Sequence, residues 1–293
     1  MACRPAGFLI PEGHPPMTPL KIGAALDVAD LPGFRDWLIA GQRDLEIQDF
    51  HATEVLRGDW EGLAAQARTY LDGFEGRLGI HGPFVHVPMN CNDPDLMPII
   101  TDRYLTGLKA AIALGATQMV VHSPFTIWDY TNFGDHPARG NTPSLKDRII
   151  EACHDVMRPV VARAADAGVT LVIENCDDIS PMDRLDLARS FDSDAVRLSI
   201  DTGHAHNSFG TQGSVPVDYF IHAAGPWLHH VHLQDTDGFA DRHWAPGDGT
   251  INWPSVFAAL ADIDADPHLV LELRDKTDVP KGFDYLRNRG LAI

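Results

Sequence analysis

The chain has 293 residues, 44% of them apolar and 22% charged, and its 23 Lys and Arg against 41 Asp and Glu leave a formal net charge of −18. That apolar fraction excludes disorder, and the length suits either two ordinary domains or one large α/β barrel. The negative surplus argues against nucleic acid as a partner, because non-specific binding to phosphate backbones depends on Lys and Arg releasing counterions.

No apolar run reaches the roughly 18 residues of a membrane-crossing helix. Cys3, Cys91, Cys153 and Cys176 include no C-x-x-C pair and are too sparse for a disulfide framework, so a reducing cytoplasm is the expected compartment. The stretch Met1 to Pro16 holds one short apolar patch, Phe8-Leu9-Ile10, between Pro5 and Pro11, and lacks the long apolar region of a signal peptide. It reads as a loose extension over 1–19, with a catalytic domain over 20–293.

From Leu20 onward, short apolar runs alternate with longer helical patterns. Eight strands are expected: Lys21 to Asp27, Asp44 to Phe50, Arg77 to His81, Gln118 to His122, Val169 to Glu174, Val196 to Asp201, Leu228 to Leu233 and His268 to Leu273. Helical patterns are clearest at Trp60 to Leu71, Pro98 to Leu114, Ser144 to Ala167, Pro254 to Ile263 and Pro280 to Arg289. The segment Val217 to Ala224 is a short, poorly patterned sixth helix. Strand followed by helix, eight times without a compositional break, predicts a single (β/α)8 TIM barrel. Alternation inside the strands supports closure: Arg197, Ser199 and Asp201 share one face while Val196, Leu198 and Ile200 share the other. A strand in a flat doubly wound sheet, covered on both faces, would be apolar throughout.

Six strands end in, or one residue before, a metal-capable side chain of inward parity: His81, His122, Glu174, Asp201, His232 and Glu272. Functional residues in this fold come from those C-terminal strand ends. Three imidazoles and three carboxylates on one rim would repel and leave polar groups half dry unless a divalent cation joined them. After Asp201 a short turn, Asp201-Thr-Gly-His204, brings a second donor, and the loop after His232 carries Gln234, Asp241, Arg242, His243 and Trp244. Imidazole with carboxylate and no thiolate suits Zn2+, Mn2+ or Fe2+. His230 shares the inward parity of His232 but lies deeper, as a hydrogen-bonded lumen residue, and His229 is expected to face outward.

The segments Leu-Val-Ile-Glu174-Asn, Asp201-Thr-Gly-His204, His232-Leu-Gln-Asp and Glu272 together resemble the xylose isomerase-like TIM barrels, from roughly Leu20 to the C-terminus. In the sugar epimerase branch the resemblance implies one divalent ion on Glu174, Asp201, His232 and Glu272, with the two glutamates also moving protons. In the endonuclease IV branch it implies a trinuclear zinc site on His81, His122, Glu174, Asp201, His204, His232, Asp241, His243 and Glu272. All nine residues are present. The motif Asp241-Arg-His243-Trp-Ala-Pro246-Gly-Asp-Gly249 also resembles the broad sugar phosphate isomerase/epimerase group. Gly247-Asp-Gly249 alone does not make a phosphate cradle.

The expected function is a metal-dependent isomerase or epimerase of a sugar or polyol ketone, with Glu174 and Glu272 as the catalytic proton carriers. Glu46 and Gln48, inward from the second strand, could hold substrate hydroxyls, as could Gln234 and Arg242, and Phe84 and Trp244 could wall the site. His204 serves either metal or substrate. The alternatives are an endonuclease IV-like zinc phosphoesterase and a non-catalytic metal-dependent sugar-binding barrel. Against the phosphoesterase, rim segments 83–98, 123–142 and 236–248 hold only Arg139 and Arg242 as Lys or Arg cations, with seven aspartates. The expected partner is a small carbohydrate, and a homo-oligomer is compatible with the sequence.

Overall fold

The computed structural model describes residues 18–293, so the extension expected over 1–19 lies outside the described residues as far as residue 17. Eight parallel strands close in sequence order: β1 Gly23–Leu26, β2 Leu45–Ile47, β3 Leu78–His81, β4 Gln118–His122, β5 Thr170–Glu174, β6 Val196–Asp201, β7 Leu228–Leu233 and β8 His268–Leu271, with β1 paired to β8. The architecture is the expected single (β/α)8 barrel. Leu20 bridges to Ala292 beside the β1/β8 seam, its N–H donating to the Leu291 carbonyl at 3.0 Å. β2 is shorter than expected because the chain turns into a 3-10 helix, Asp49–His51, straight after Gln48. Beyond β8, the Glu272 N–H still donates to the Leu233 carbonyl at 3.2 Å, which preserves its inward parity.

Outward-facing Ile80, Met119, Ile173, Ile200, Val231 and Leu271 are buried beneath the helical layer, a continuous apolar interface that fixes each strand's register. The helix Leu145–Ala167 shows how local sequence sets its ends. Ser144 and Asp147 form a reciprocal capping box, and Gly168 terminates the helix at φ +68°, a conformation only glycine adopts cheaply. The weakly patterned segment is a helix over Val217–Ala224.

One parity expectation fails. The β6/β7 register shifts between Leu198 and Ser199, pairing them with Leu228 and His230 and leaving His229 as the extra residue of a bulge. His229 therefore points inward, and its Nδ1 lies 2.8 Å from Gln118 Oε1 on β4, a strand that β7 does not adjoin. The contact must cross the lumen. A bulge breaks the period of two that simple alternation assumes. With His268, whose ring centroid is 5.3 Å from that of His229, and the paired Asp44 and Arg77, it builds a polar floor under the site.

His268 is 5% exposed, and burial, reinforced by Arg77 and His229, pushes its pKa down to about 3. An unfolded histidine protonates near pH 6.5, so below that pH the unfolded state binds a proton that the folded state refuses, and stability falls as pH drops. The loss from His268 is about 2 kcal/mol at pH 5. Urea unfolding of chelated protein at pH 7.5 and pH 5 should show a smaller acid loss in His268→Gln than in wild type; equal losses would refute the shielded ring.

Candidate metal centre

Glu174, 1% exposed at the end of β5, is the hub of the barrel mouth. Its Oε2 lies 3.6 Å from His81 Nε2 and 3.7 Å from His122 Nε2, and its Oε1 lies 3.1 Å from His232 Nδ1 and 3.4 Å from His204 Nδ1. His232 Nδ1 also faces Glu272 Oε2 at 3.4 Å and Asp201 Oδ2 at 4.0 Å. All nine residues expected from the sequence fall into three groups whose donor atoms lie within 4.8 Å of one another. These are Glu174, Asp201, His232 and Glu272; His81, His122 and Glu174; and His204, Asp241 and His243.

The fit to a cation rests on two observations. Donors bound at about 2.0 to 2.1 Å around a tetrahedral ion sit about 3.3 Å apart, and the donor pairs given above lie 3.1 to 4.0 Å apart. Glu174 Oε2 and Asp201 Oδ2 are buried without any hydrogen-bond partner. A buried carboxylate oxygen left without a partner is costly, and an ion between the groups removes that cost.

Local structure aims the donors. Asp201 does not open a short turn, as expected, but caps an eleven-residue helix, Thr202–Gln212, its Oδ1 accepting from the His204 N–H at 2.7 Å. The polar Thr202 and His204 fit a helical first turn once an aspartate N-cap precedes them. Asn175 brackets Asp201 through both its backbone groups, at 2.9 and 3.1 Å. Asp235 pins the following loop by accepting from the N–H groups of Gly247 and Ile251 and from Trp253 Nε1. A Cβ on Gly249 would fall 2.3 Å from Asp235 Oδ1. The Pro-Gly-Asp-Gly segment is therefore a loop anchor that needs glycine for close approach. His243 is held at φ +52°, an uncommon backbone for a side-chain-bearing residue and one that accompanies functional constraint.

Burial opposes charge on every one of these groups, and the pairings overrule it unevenly. Despite burial, His232, His204 and His81 hold the Glu174 carboxyl well below the usual carboxylate range. Burial pushes Asp201 up to about 6 against the pull of His204, with Glu174 and Glu272 adding to the rise. Burial lowers His122 to about 3, whereas Asp241 and Glu272 overcome burial and raise His243 to about 9.

The six expected substrate contacts fare differently. Phe84 stacks on His122 with ring centroids 4.1 Å apart and lines a cleft of about 480 Å³ beside Glu272. Glu46 does not reach that cleft: it is 1% exposed beneath the cluster and faces His232 and His230. Gln234 is fully buried, its Nε2 donating to Asp201 and Asp241 at 3.0 Å each and its Oε1 accepting from the His243 N–H, so it aligns donors and has no atom left for a sugar. Arg242 is paired with Asp237 at 2.9 Å, and neither it nor Trp244 lines the cleft.

The cleft presents a residue that strand parity did not select. Lys276 Nζ lies 2.6 Å from Gln48 Oε1, and Gln48 Nε2 donates to Glu272 Oε1 at 2.6 Å. Its signal was position, four residues beyond Glu272 on the same rim loop. Arg274 joins it, so this loop adds two cations to a rim whose other segments are acidic. Among the described residues no helix is long and apolar enough to cross a membrane.

A sequence profile described as xylose isomerase-like TIM barrel matches residues 40–289. An uncharacterised protein of Methanocaldococcus jannaschii is 22% identical over 272 residues, 89% of this chain and 87% of that one. A D-psicose 3-epimerase of Ruminiclostridium cellulolyticum is 26% identical over 196 residues, covering 66% of this chain and 61% of the relative. Among solved structures, a D-tagatose 3-epimerase-like protein superposes with a TM-score of 0.73 at 20% identity, over 92% of this chain and 96% of the other.

Proposed function

Because the chain belongs to the xylose isomerase-like TIM barrel family, we propose that it is a divalent-metal-dependent isomerase or epimerase of a carbohydrate or sugar-like polyol ketone. The observation that carries this reading is that Glu174 and Glu272, from β5 and from the end of β8, both approach His232 Nδ1, at 3.1 and 3.4 Å, while Glu272 also borders the cleft. The epimerase relatives support the same reaction class.

The ion, held by Glu174, Asp201, His232 and Glu272, would polarise a carbonyl and its neighbouring hydroxyl and so acidify the intervening C–H. The residues supply the rest. One glutamate accepts that proton and the other returns one, to the opposite face in an epimerisation or to the adjacent carbon in an isomerisation. Both carboxyls lie below their ordinary range, Glu174 through His232 and Glu272 through His232 and His243, in each case against burial, so both begin as anions, and the one that returns a proton first takes it from water entering the cleft that Glu272 borders. Gln48 fixes Glu272 Oε1 by its 2.6 Å hydrogen bond, and Phe84 gives one wall an apolar face.

The test is exchange. Metal-loaded protein incubated in D2O with ketohexoses, ketopentoses, inososes and their phosphates should place deuterium on the carbon beside the carbonyl of at least one. Binding without exchange across that set would make the protein a sugar-binding barrel.

A zinc phosphoesterase is favoured by one observation, the three donor groups side by side. The rim opposes it, since Lys276 and Arg274 are confined to one loop and the others are aspartate-rich. An abasic duplex should remain uncut at physiological salt. Incision that Glu174→Gln abolishes would replace the isomerase reading.

A further inference from the structure

Imidazoles that bind a metal are held by whatever their second ring nitrogen touches. Three of the candidate ligands use a backbone carbonyl: His81 Nδ1 lies 2.9 Å from the Gly82 oxygen, His204 Nδ1 2.9 Å from the Asn175 oxygen and His243 Nδ1 3.1 Å from the Glu272 oxygen. His232 differs. Its Nδ1 faces Glu174, Glu272 and Asp201, and its Nε2 faces a carboxylate, Glu46 Oε1, at 3.0 Å.

Glu46 is itself backed by a buried column. Its Oε2 lies 3.3 Å from His230 Nε2, and His230 Nδ1 lies 2.9 Å from Ser199 Oγ. Glu46, His230, His232 and Ser199 are all at most 1% exposed, so bulk solvent does not reach these contacts. Glu46 Oε2 and His230 Nε2 have no properly aligned hydrogen-bond partner, which leaves Glu46 committed to His232 through one oxygen and poised toward His230 through the other.

We infer that Glu46 is a positioning residue that fixes the tautomer and ring plane of His232, placing the proton on Nε2 and the Nδ1 lone pair on the metal, with His230 and Ser199 bracing it from below. A carboxylate behind an imidazole also raises its basicity, so the ligand at the centre of the four-donor group becomes a stronger donor than its carbonyl-backed neighbours. The same three side chains, Glu46, His230 and His232, meet the distance criterion for an ion of their own. They offer only three donors in a closed space, and His230 Nδ1 is already engaged by Ser199, whereas a structural ion takes four. His232 cannot give Nε2 to such an ion and keep Glu46 as its support.

The inference rests on reading the mouth as a metal centre, and the experiment separates the two. Zn2+ is titrated calorimetrically into chelated wild type, Glu46→Gln and Glu46→Ala, with the visible spectrum of bound Co2+ and the unfolding temperature of each apo form recorded alongside. Glu46→Ala should weaken the tightest site about 10- to 100-fold and alter the Co2+ spectrum. Glu46→Gln, whose amide oxygen can still accept from Nε2, should recover part of the affinity, and it keeps the test alive if the alanine variant does not fold. Unchanged affinity and spectrum in both variants would overturn the positioning role. Loss of one whole equivalent with the remaining affinities intact would overturn it in favour of a ligand role for Glu46. Failure of wild type itself to bind would defeat the metal reading instead.

Discussion

Glu174→Gln and Glu272→Gln should each lower kcat by about 10²- to 10⁴-fold at saturating metal, the range expected for removal of a proton-transferring group. The amide keeps the shape of the carboxyl and removes its basicity, so the fold should survive. The two variants should nevertheless differ. Glu174 belongs to two donor groups and meets four imidazoles within 3.7 Å, so its substitution should also reduce metal content. Glu272 belongs to one group and has its Oε1 on Gln48, so its loss should fall mainly on kcat with metal largely retained. Measuring metal per chain and deuterium exchange on the same preparations separates these effects. Normal turnover by either variant would rule out a scheme with two carboxylate bases.

The strand ends were legible because one face of each strand must pack on helices, which leaves the other parity for the lumen. His81, His122, Glu174, Asp201, His232 and Glu272 all obey that rule and all converge. Parity fails where the backbone departs from it, as at His229, where a bulge adds a residue. It also says only that a side chain points inward, and not at what height or toward which partner. Glu46 and Gln48 share parity on adjacent layers, yet Glu46 is sealed under His232 while Gln48 opens onto the cleft. Gln234 reads as a substrate contact from its place in the loop after His232, whereas its amide is wholly taken up by Asp201, Asp241 and the His243 backbone. Lys276 opens a single-turn 3-10 helix, Lys276–Asp278, too short to carry a readable period, and only the folded rim reveals its 2.6 Å contact with Gln48.

Protein purified without chelator should carry more than one equivalent of divalent metal, and His81→Ala and His243→Ala should each lower that content. The geometry makes this the economical count. One ion on Glu174, Asp201, His232 and Glu272 would leave His204 and His243 converging on Asp241, at 3.5 and 3.0 Å, with no cation between the three donors. Against burial, those two imidazoles hold the Asp241 carboxyl far below its usual range, and His243 is raised to about 9, so the metal-free group balances its charge with protons. A divalent ion performs the same neutralisation and displaces those protons, which makes metal uptake weaken as pH falls. On the other side, His81 and His122 face the orphaned Glu174 Oε2 at 3.6 and 3.7 Å, too long for hydrogen bonds and suited to donors around an ion. Elemental analysis decides between the counts. A single equivalent, unchanged by His81→Ala and by His243→Ala, would refute the multinuclear centre and leave both histidines to contact substrate.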